Sequence, residues 1–513
     1  MKKTRAYLRL FALLLALALL SGCGGPEGTP ATVKPTEQAT EATDETATEA
    51  TLPTAASNED GSFGLSYYKN AGFNPFTCTK LANRAIMSLL YQRLFVVTAD
   101  YQADPQLCRE YSHSDDLKTW TFYLKPAKFT DGTALTAKDV VASLEAARDS
   151  AVYGSRLHHV MEIAEEGTDA VVLTLDTAYE MVPMLLDIPI VRAKDVEASR
   201  PMGSGSYALR GLGSSLSLEW KQSDGTDLLT QKNITLYPAE STTDVRDSFE
   251  FYGTSLAYTD PGSASYADYR SDYELYECPA SILLYVGCNS GAGIFEDPEV
   301  RKALTYAIDR ESLARNPYNG FAKPTTLPAD PDSPFYDATL AGQYVYNPKK
   351  FSDVIRNKAL VGSEISILVD GSRPYRIQAA ETIAKELEAA GLVVTVNTLT
   401  GNSYEAALIA WNYDLHLGEA KLPSNYDLTE FFHPWGSLSF GGMADNDLYA
   451  ACLDALENSG NYYNFHRAIA QDGRLWAVLV RSYAVYVDRG ALPDVSPGVD
   501  CVFHRQMAVP EEE

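Results

Sequence analysis

The sequence predicts an α/β protein of two lobes, and three observations carry that expectation. About 450 residues follow Ser62, more than one hydrophobic core organises. Ile365 to Asp370 and Val393 to Leu399 are apolar runs on either side of a helical pattern, Ile377, Ala380, Ala384 and Leu387, which Gly391 closes. Strand, helix and strand in that order make a parallel crossover, and such a sheet needs cover on both faces. Trp120, Phe122 and Leu124 alternate with Thr121, Tyr123 and Lys125, the period of a half-buried strand.

The amino terminus reads as an export signal. Lys2, Lys3, Arg5 and Arg9 precede an unbroken apolar run from Phe11 to Leu20, too short to span a bilayer and suited to a signal-peptide core over residues 1–22. Leu20-Ser21-Gly22-Cys23 resembles the bacterial lipobox, which implies a lipid anchor at Cys23. Acyl chains contribute about 0.8 kcal/mol per buried CH₂, so several on one residue hold a protein at a membrane. Residues 23–60 then form the lipidated cysteine and a linker of Thr, Ala, Glu and Pro without an aromatic residue. That composition cannot offset chain entropy, and the linker is expected to be a disordered tether reaching roughly 35 Å.

Charge and cysteines exclude several partners. The chain has 42 Lys+Arg against 68 Asp+Glu, a formal charge of −26 that becomes more negative once the basic signal is removed. Such a surface repels nucleic acid and anionic headgroups. Cys78, Cys108, Cys278, Cys288, Cys452 and Cys501 show no CxxC pair and no zinc spacing, and their pairing stays open.

Leu65 to Tyr68 opens the first lobe and leads into Phe73-Asn74-Pro75-Phe76; Leu89 to Val97 follows. After the Trp120 strand, Asp131-Gly132 makes a turn, Thr136 is placed to cap a helix with Asp139 three residues on, and Ala137, Val140, Val141, Leu144 and Ala147 recur at helical spacing. Asp297 and Pro298 start another helix, with Val300, Ala303, Leu304, Ala307 and Ile308 on its apolar face.

The blocks Trp120 to Leu124, Lys128 to Gly132 and Thr136 to Val140 stand in the order W-T-F-x-L, K-F-x-D-G, T-A-x-D-V. In this the chain resembles the extracellular solute-binding proteins of peptide/nickel-type ABC importers, bacterial family 5. Pro201-Met202-Gly203-Ser204-Gly205-Ser206-Tyr207 matches P-x-G-T-G-P-Y with Ser at the Thr and second Pro positions, and Ala307-Ile308-Asp309-Arg310 matches A-I-D-R. The resemblance implies a two-lobed, periplasmic-binding-protein type II-like α/β fold with an extra subdomain inserted in the first lobe at about 100–195. It places the first lobe at 61–287, the second at 288–482 and the return to the first at 483–513. Hinge crossings are expected near Cys288-Asn289 and near Tyr483 to Val487.

The same resemblance supplies the candidate ligand residues. Tyr413 to Phe432 is similar to the second-lobe wall of the family's cleft, where an aspartate pairs with a peptide's α-ammonium. Here the family's Trp gives way to Glu419 or Ala420, and Ser424 stands where many members place the first Asp. Asp427 is the substitute, with Asn425, Tyr426 and Trp435 around it, and the resemblance sets Asn74 near the cleft; Tyr67 and Tyr68 are further candidates on other grounds, since the chain has 32 tyrosines and tyrosine offers apolar area with a polar tip. Asp427→Asn is accordingly expected to weaken free-amine peptides.

No nucleophile elbow, metalloprotease helix, P-loop or dinucleotide fingerprint occurs. Of seven histidines only His158 and His159 adjoin, and neighbours on a helix point apart, so no metal site is expected. The expectation is a cofactor-free, non-enzymatic, monomeric binding lipoprotein on the outer face of a bacterial cytoplasmic membrane. It takes a small ligand, peptide favoured, to an ABC permease. A ligand sensor on the same fold is the alternative, and an exported hydrolase the remoter one.

Overall fold

The computed structural model describes residues 63–504 apart from 222–228, 230, 252, 263–271, 493 and 494. The expected signal, Cys23, the linker and the tail lie outside these residues. Two lobes share one long mixed sheet whose strands run, from edge to edge, Val393–Leu399, Glu364–Asp370, Leu415–Lys421, Tyr273–Cys288, Leu475–Asp488, Leu256–Thr259, Gly64–Tyr68, Asn233–Ala239, Ser215–Trp220 and Tyr207–Leu212. The predicted crossover is present: Glu364–Asp370 pairs in parallel with Val393–Leu399, joined by the helix Pro374–Ala389. Its outer strand is only partly covered, because it forms the sheet edge.

The inserted subdomain is a four-stranded antiparallel sheet, Cys108–His113, Thr119–Leu124, Ala170–Leu175 and Val160–Glu166 in spatial order. Trp120, Phe122 and Leu124 face its core, and the intervening residues are part-exposed, as the alternation requires. Thr136 and Asp139 form a reciprocal capping box on Ala137–Arg148. Asp297 and Asp309 cap the next matched helices through Glu299 N and Ser312 N. Arg310, buried, bonds the carbonyls of Thr325 and Ala477 at 2.9 Å each, so the A-I-D-R block fastens its helix to the returning strand. Gly203 and Gly205 serve close approach and not a positive φ. A Cβ there would meet the carbonyl oxygens of Leu90 and Leu89 at 2.0 and 2.3 Å.

Tyr273–Cys288 and Leu475–Asp488 pair along most of their length and carry the chain between the lobes. Their register breaks between Pro279 and Ile282, where Ser281 adopts φ +47°. Before the break the partner's far side holds Leu256–Thr259, and beyond it Ile282–Cys288 pairs with Leu415–Lys421. The partner change thus precedes the expected Cys288-Asn289 crossing, and Arg481-Ser482 faces it, just ahead of Tyr483. Proline cannot donate to the ladder, and a bulge beside it bends the strand.

Candidate ligand site at the strand crossing

The expected contact residues are dispersed. Tyr67 is a core residue beside Phe73, with its hydroxyl 3.4 Å from Gly213 O, and Tyr68 packs on the cluster around Phe249. Asn74 is spent on its own loop, donating to Val196 O and Ala198 O at 2.7 and 2.9 Å and accepting from Phe76 N. Trp435 is 90% exposed and lines nothing enclosed. The run after Leu415–Lys421 is instead deeply buried. Asn425 donates to Tyr179 Oη at 2.6 Å, while Tyr426, at φ +56°, lies 2.9 Å hydroxyl to hydroxyl from Tyr101, which donates to Asp330 at 2.9 Å. A bulky residue at positive φ is strained, and such positions cluster at binding sites.

Asp427 meets two imidazoles. Its Oδ1 accepts from Thr429 N and Oγ1 at 2.8 and 2.7 Å. Its Oδ2 lies 3.4 Å from His158 Nε2 and 3.5 Å from His159 Nε2, with no hydrogen bond of ordinary geometry. The histidines lie in a turn, not a helix, so adjacency does not splay them; their rings sit 4.0 Å apart. Burial opposes charge on His159, yet its bonds to Asp176 and Asp427 push its pKa up to about 9. Both imidazoles thus face Asp427, whose Oδ2 keeps no regular hydrogen bond.

Oγ1 of Thr429 also lies 3.3 Å from His159 Nε2, whose Nδ1 is 2.9 Å from Asp176, an order reminiscent of a hydrolase triad. Thr429 is 2% exposed and its hydroxyl donates to Asp427, the setting of a buried, bonded side chain and not of an exposed nucleophile.

A second cluster lies around the crossing, and the sequence did not disclose it. Arg156 grips Asp187 through Nε at 2.8 Å and Nη2 at 3.0 Å, and reaches Asp500 at 3.3 Å. Lys421 pairs with the same Asp500 at 2.5 Å and donates to Ala280 O beside the bulge. Arg84 lies over the Tyr153 ring at 5.5 Å, opposite Arg156 at 5.0 Å. Among the described residues no carboxylate comes within ion-pair range of Arg84 or Arg93. Arg93 is 5% exposed and its Nη1 is buried without a partner. Four cations thus share two acids.

Of these groups Arg93, Arg156, Asp187 and Asp500 are buried, while Arg84 and Lys421 are partly accessible. Lys421 keeps 34% of its side-chain surface accessible, yet burial holds its ammonium below the usual range, with Asp500 offsetting only part. Tyr258 and Tyr483, edge to face at 5.6 Å, belong to the same surroundings; burial raises both phenols well above their ordinary value. Burial pushes the Cys278 thiol of the crossing strand up to about 12, and Cys78, Cys108, Cys288 and Cys452, elsewhere in the fold, are likewise buried thiols outside any disulfide.

Residues 102–442 match the family described as bacterial extracellular solute-binding proteins, family 5 Middle. The glutathione-binding protein GsiB of Escherichia coli strain K12 is 25% identical over 308 residues, covering 55% of this chain and 58% of its own length. The chain therefore spans less than two thirds of the curated relatives it matches. Among solved structures, AgaA of A. tumefaciens in complex with agropinic acid aligns with a TM-score of 0.61 at 20% identity, over 85% of this chain and 95% of that one. The oligopeptide-binding AppA of Bacillus subtilis in complex with a nonapeptide aligns at 0.59 and 18% identity, over 86% and 97%.

Proposed function

The chain belongs to the bacterial extracellular solute-binding proteins, family 5, and from that membership we propose that it captures a small anionic solute, a peptide foremost, between its lobes for an ABC permease. The observation that carries the ligand class is the pair Arg84, part-buried, and Arg93, buried, gathered beside Arg156 and Lys421 with no carboxylate of the described residues in ion-pair range of either. A ligand carboxylate taking bidentate bonds from these guanidiniums supplies the counter-charge that the protein does not place beside them. The organic acid and the nonapeptide held by the similar structures fit this chemistry.

Arg84, Arg93 and Arg156 come from the first lobe and its insertion, and Lys421 from the second-lobe strand Leu415–Lys421. A solute between them bonds both lobes only when they meet, and that differential affinity is what drives closure. The hinge of this reading is the Pro279–Ile282 bulge with Arg481-Ser482 opposite. Native mass spectrometry of freshly purified protein is expected to release a carboxylate-bearing molecule. Readded at saturation, that molecule shrinks the radius of gyration of ligand-stripped protein in solution scattering. A neutral or cationic ligand, or an unchanged scattering profile, overturns this reading.

Cys23 is taken as the anchor that keeps the monomer on the outer face of the cytoplasmic membrane. Cys23→Ser then yields exported protein that no longer sediments with membranes. Sedimentation equal to the wild type's removes the anchor.

A further inference from the structure

His158, His159, Asp427 and Thr429 present four electron-rich atoms to one point. Thr429 Oγ1 lies 3.0 Å from His158 Nε2 and 3.3 Å from His159 Nε2, and Asp427 Oδ2 lies 3.4 and 3.5 Å from the same two nitrogens. A tetrahedral ion with ligand bonds of 2.0–2.1 Å has six ligand-to-ligand edges of about 3.3 Å; these distances are four of them, and the ligand atoms of His158, His159 and Asp427 all lie within 4.8 Å of one another.

The imidazoles are also oriented for ligation. Nδ1 of His158 donates to Ser155 O at 2.7 Å, and Nδ1 of His159 donates to Asp176 Oδ1 at 2.9 Å. Fixing the proton on Nδ1 turns Nε2 toward Asp427, the arrangement in which metal-ligating histidines are held by a carboxylate or a carbonyl. Asp427 Oδ2 is buried and accepts no regular hydrogen bond. His158 keeps 24% of its side-chain surface accessible, which leaves an entry path.

We propose that Nε2 of His158, Nε2 of His159 and Oδ2 of Asp427 form a site for a divalent transition-metal ion of the zinc type, with Thr429 Oγ1 or water in the fourth position. Two imidazoles and one carboxylate suit such borderline ions and not calcium or magnesium, which take oxygen sets. The ion takes the place of a proton between His159 and the carboxylate. It ties the inserted subdomain to the segment following Leu415–Lys421 and helps hold the lobes together. The site shares no residue with the Arg84 cluster and stands apart from the anion reading.

Purified protein, stripped with chelator, is titrated with Zn²⁺ alone, and Co²⁺ serves as the spectroscopic probe. One equivalent of Zn²⁺ is expected to bind, and Co²⁺ is expected to give the intense visible bands of a four-coordinate site. His158→Gln and His159→Gln should each weaken Zn²⁺ by at least about 100-fold. Asp176→Asn, which removes only the group orienting His159, should weaken it about 10–100-fold. His158→Gln changes a part-exposed side chain, and its unfolding midpoint reports whether the fold persists. Failure to take up one equivalent overturns the proposal, as does uptake unchanged in a folded His158→Gln. Either leaves two imidazoles that only share protons with Asp427.

Discussion

At pH 7, Glu419→Gln lowers the free energy of unfolding by about 3–5 kcal/mol, the cost of taking one partner from a buried ion network. Glu419 Oε1 accepts from Arg376 Nη2 at 2.7 Å and from Arg481 Nη1 at 3.0 Å, and its side chain is 9% exposed. Arg481 sits at the strand crossing, 2% exposed, stacked over Tyr375 at 4.7 Å and paired further with Asp260. Arg376 has a second acid, Asp370, at 3.1 Å. Glutamine fills the same volume but leaves both guanidiniums short of charge in a poorly solvated place. Burial alone would raise the Glu419 carboxyl; the two arginines outweigh it and bring it down to about 2. A depressed acid contributes stability that is fully present above its unfolded value near 4.5 and is lost as pH falls through about 2. The gap between wild type and variant in urea unfolding therefore narrows from pH 4.5 downward. A midpoint unmoved at pH 7, or a gap that ignores acid, contradicts this account.

Glu419 also shows where the sequence stops being legible. That Glu419 or Ala420 stands in place of the family's tryptophan is visible in the run Tyr413 to Phe432, but the partners of Glu419 lie 43 and 62 residues away and carry no local signal. Local rules did better. The Trp120 alternation, the Thr136–Asp139 box, the Asp297 cap and the crossover at 364–399 each depend on neighbours within a few residues or one repeat. The bulge had a signal that was passed over, Pro279 inside a run otherwise suited to a strand. For His158 and His159 the helix rule was applied to what is a turn, and their partner Asp427 lies some 270 residues on. Neither tyrosine content, which suggests Tyr67, nor motif position, which suggests Asn74 and Trp435, reports burial: the first two are buried and the third faces solvent.

Arg84→Gln is expected to cost affinity and not stability, and that separation makes it the sharpest test of the ligand class. Arg84 projects from the helix Leu81–Leu90 of the first lobe, keeps partial accessibility, and has the Tyr153 ring as its close contact. No ion pair of the fold is broken by its loss, and Arg93 beside it is relieved of a like charge, so the unfolding midpoint should stay within about 2 °C. In the unliganded protein burial opposes its charge and Asp500 of the same cluster acts the other way, and the guanidinium stays protonated. A carboxylate bound there gains a charge-assisted pair shielded from water, and removing one partner of such a pair costs about 2–5 kcal/mol, roughly 30- to 5,000-fold in Kd. Calorimetry on the retained ligand, and on short peptides with free and amidated carboxyl termini, reads the effect. The free acids should weaken by that factor in Arg84→Gln, and the amides, weak to begin with, should hardly change. Lys421→Met should act in the same direction but also destabilise, because Asp500 then loses one of its two close cations. If wild type and Arg84→Gln bind the free acids equally, the cationic cluster is a device of the fold, and the ligand is recognised elsewhere.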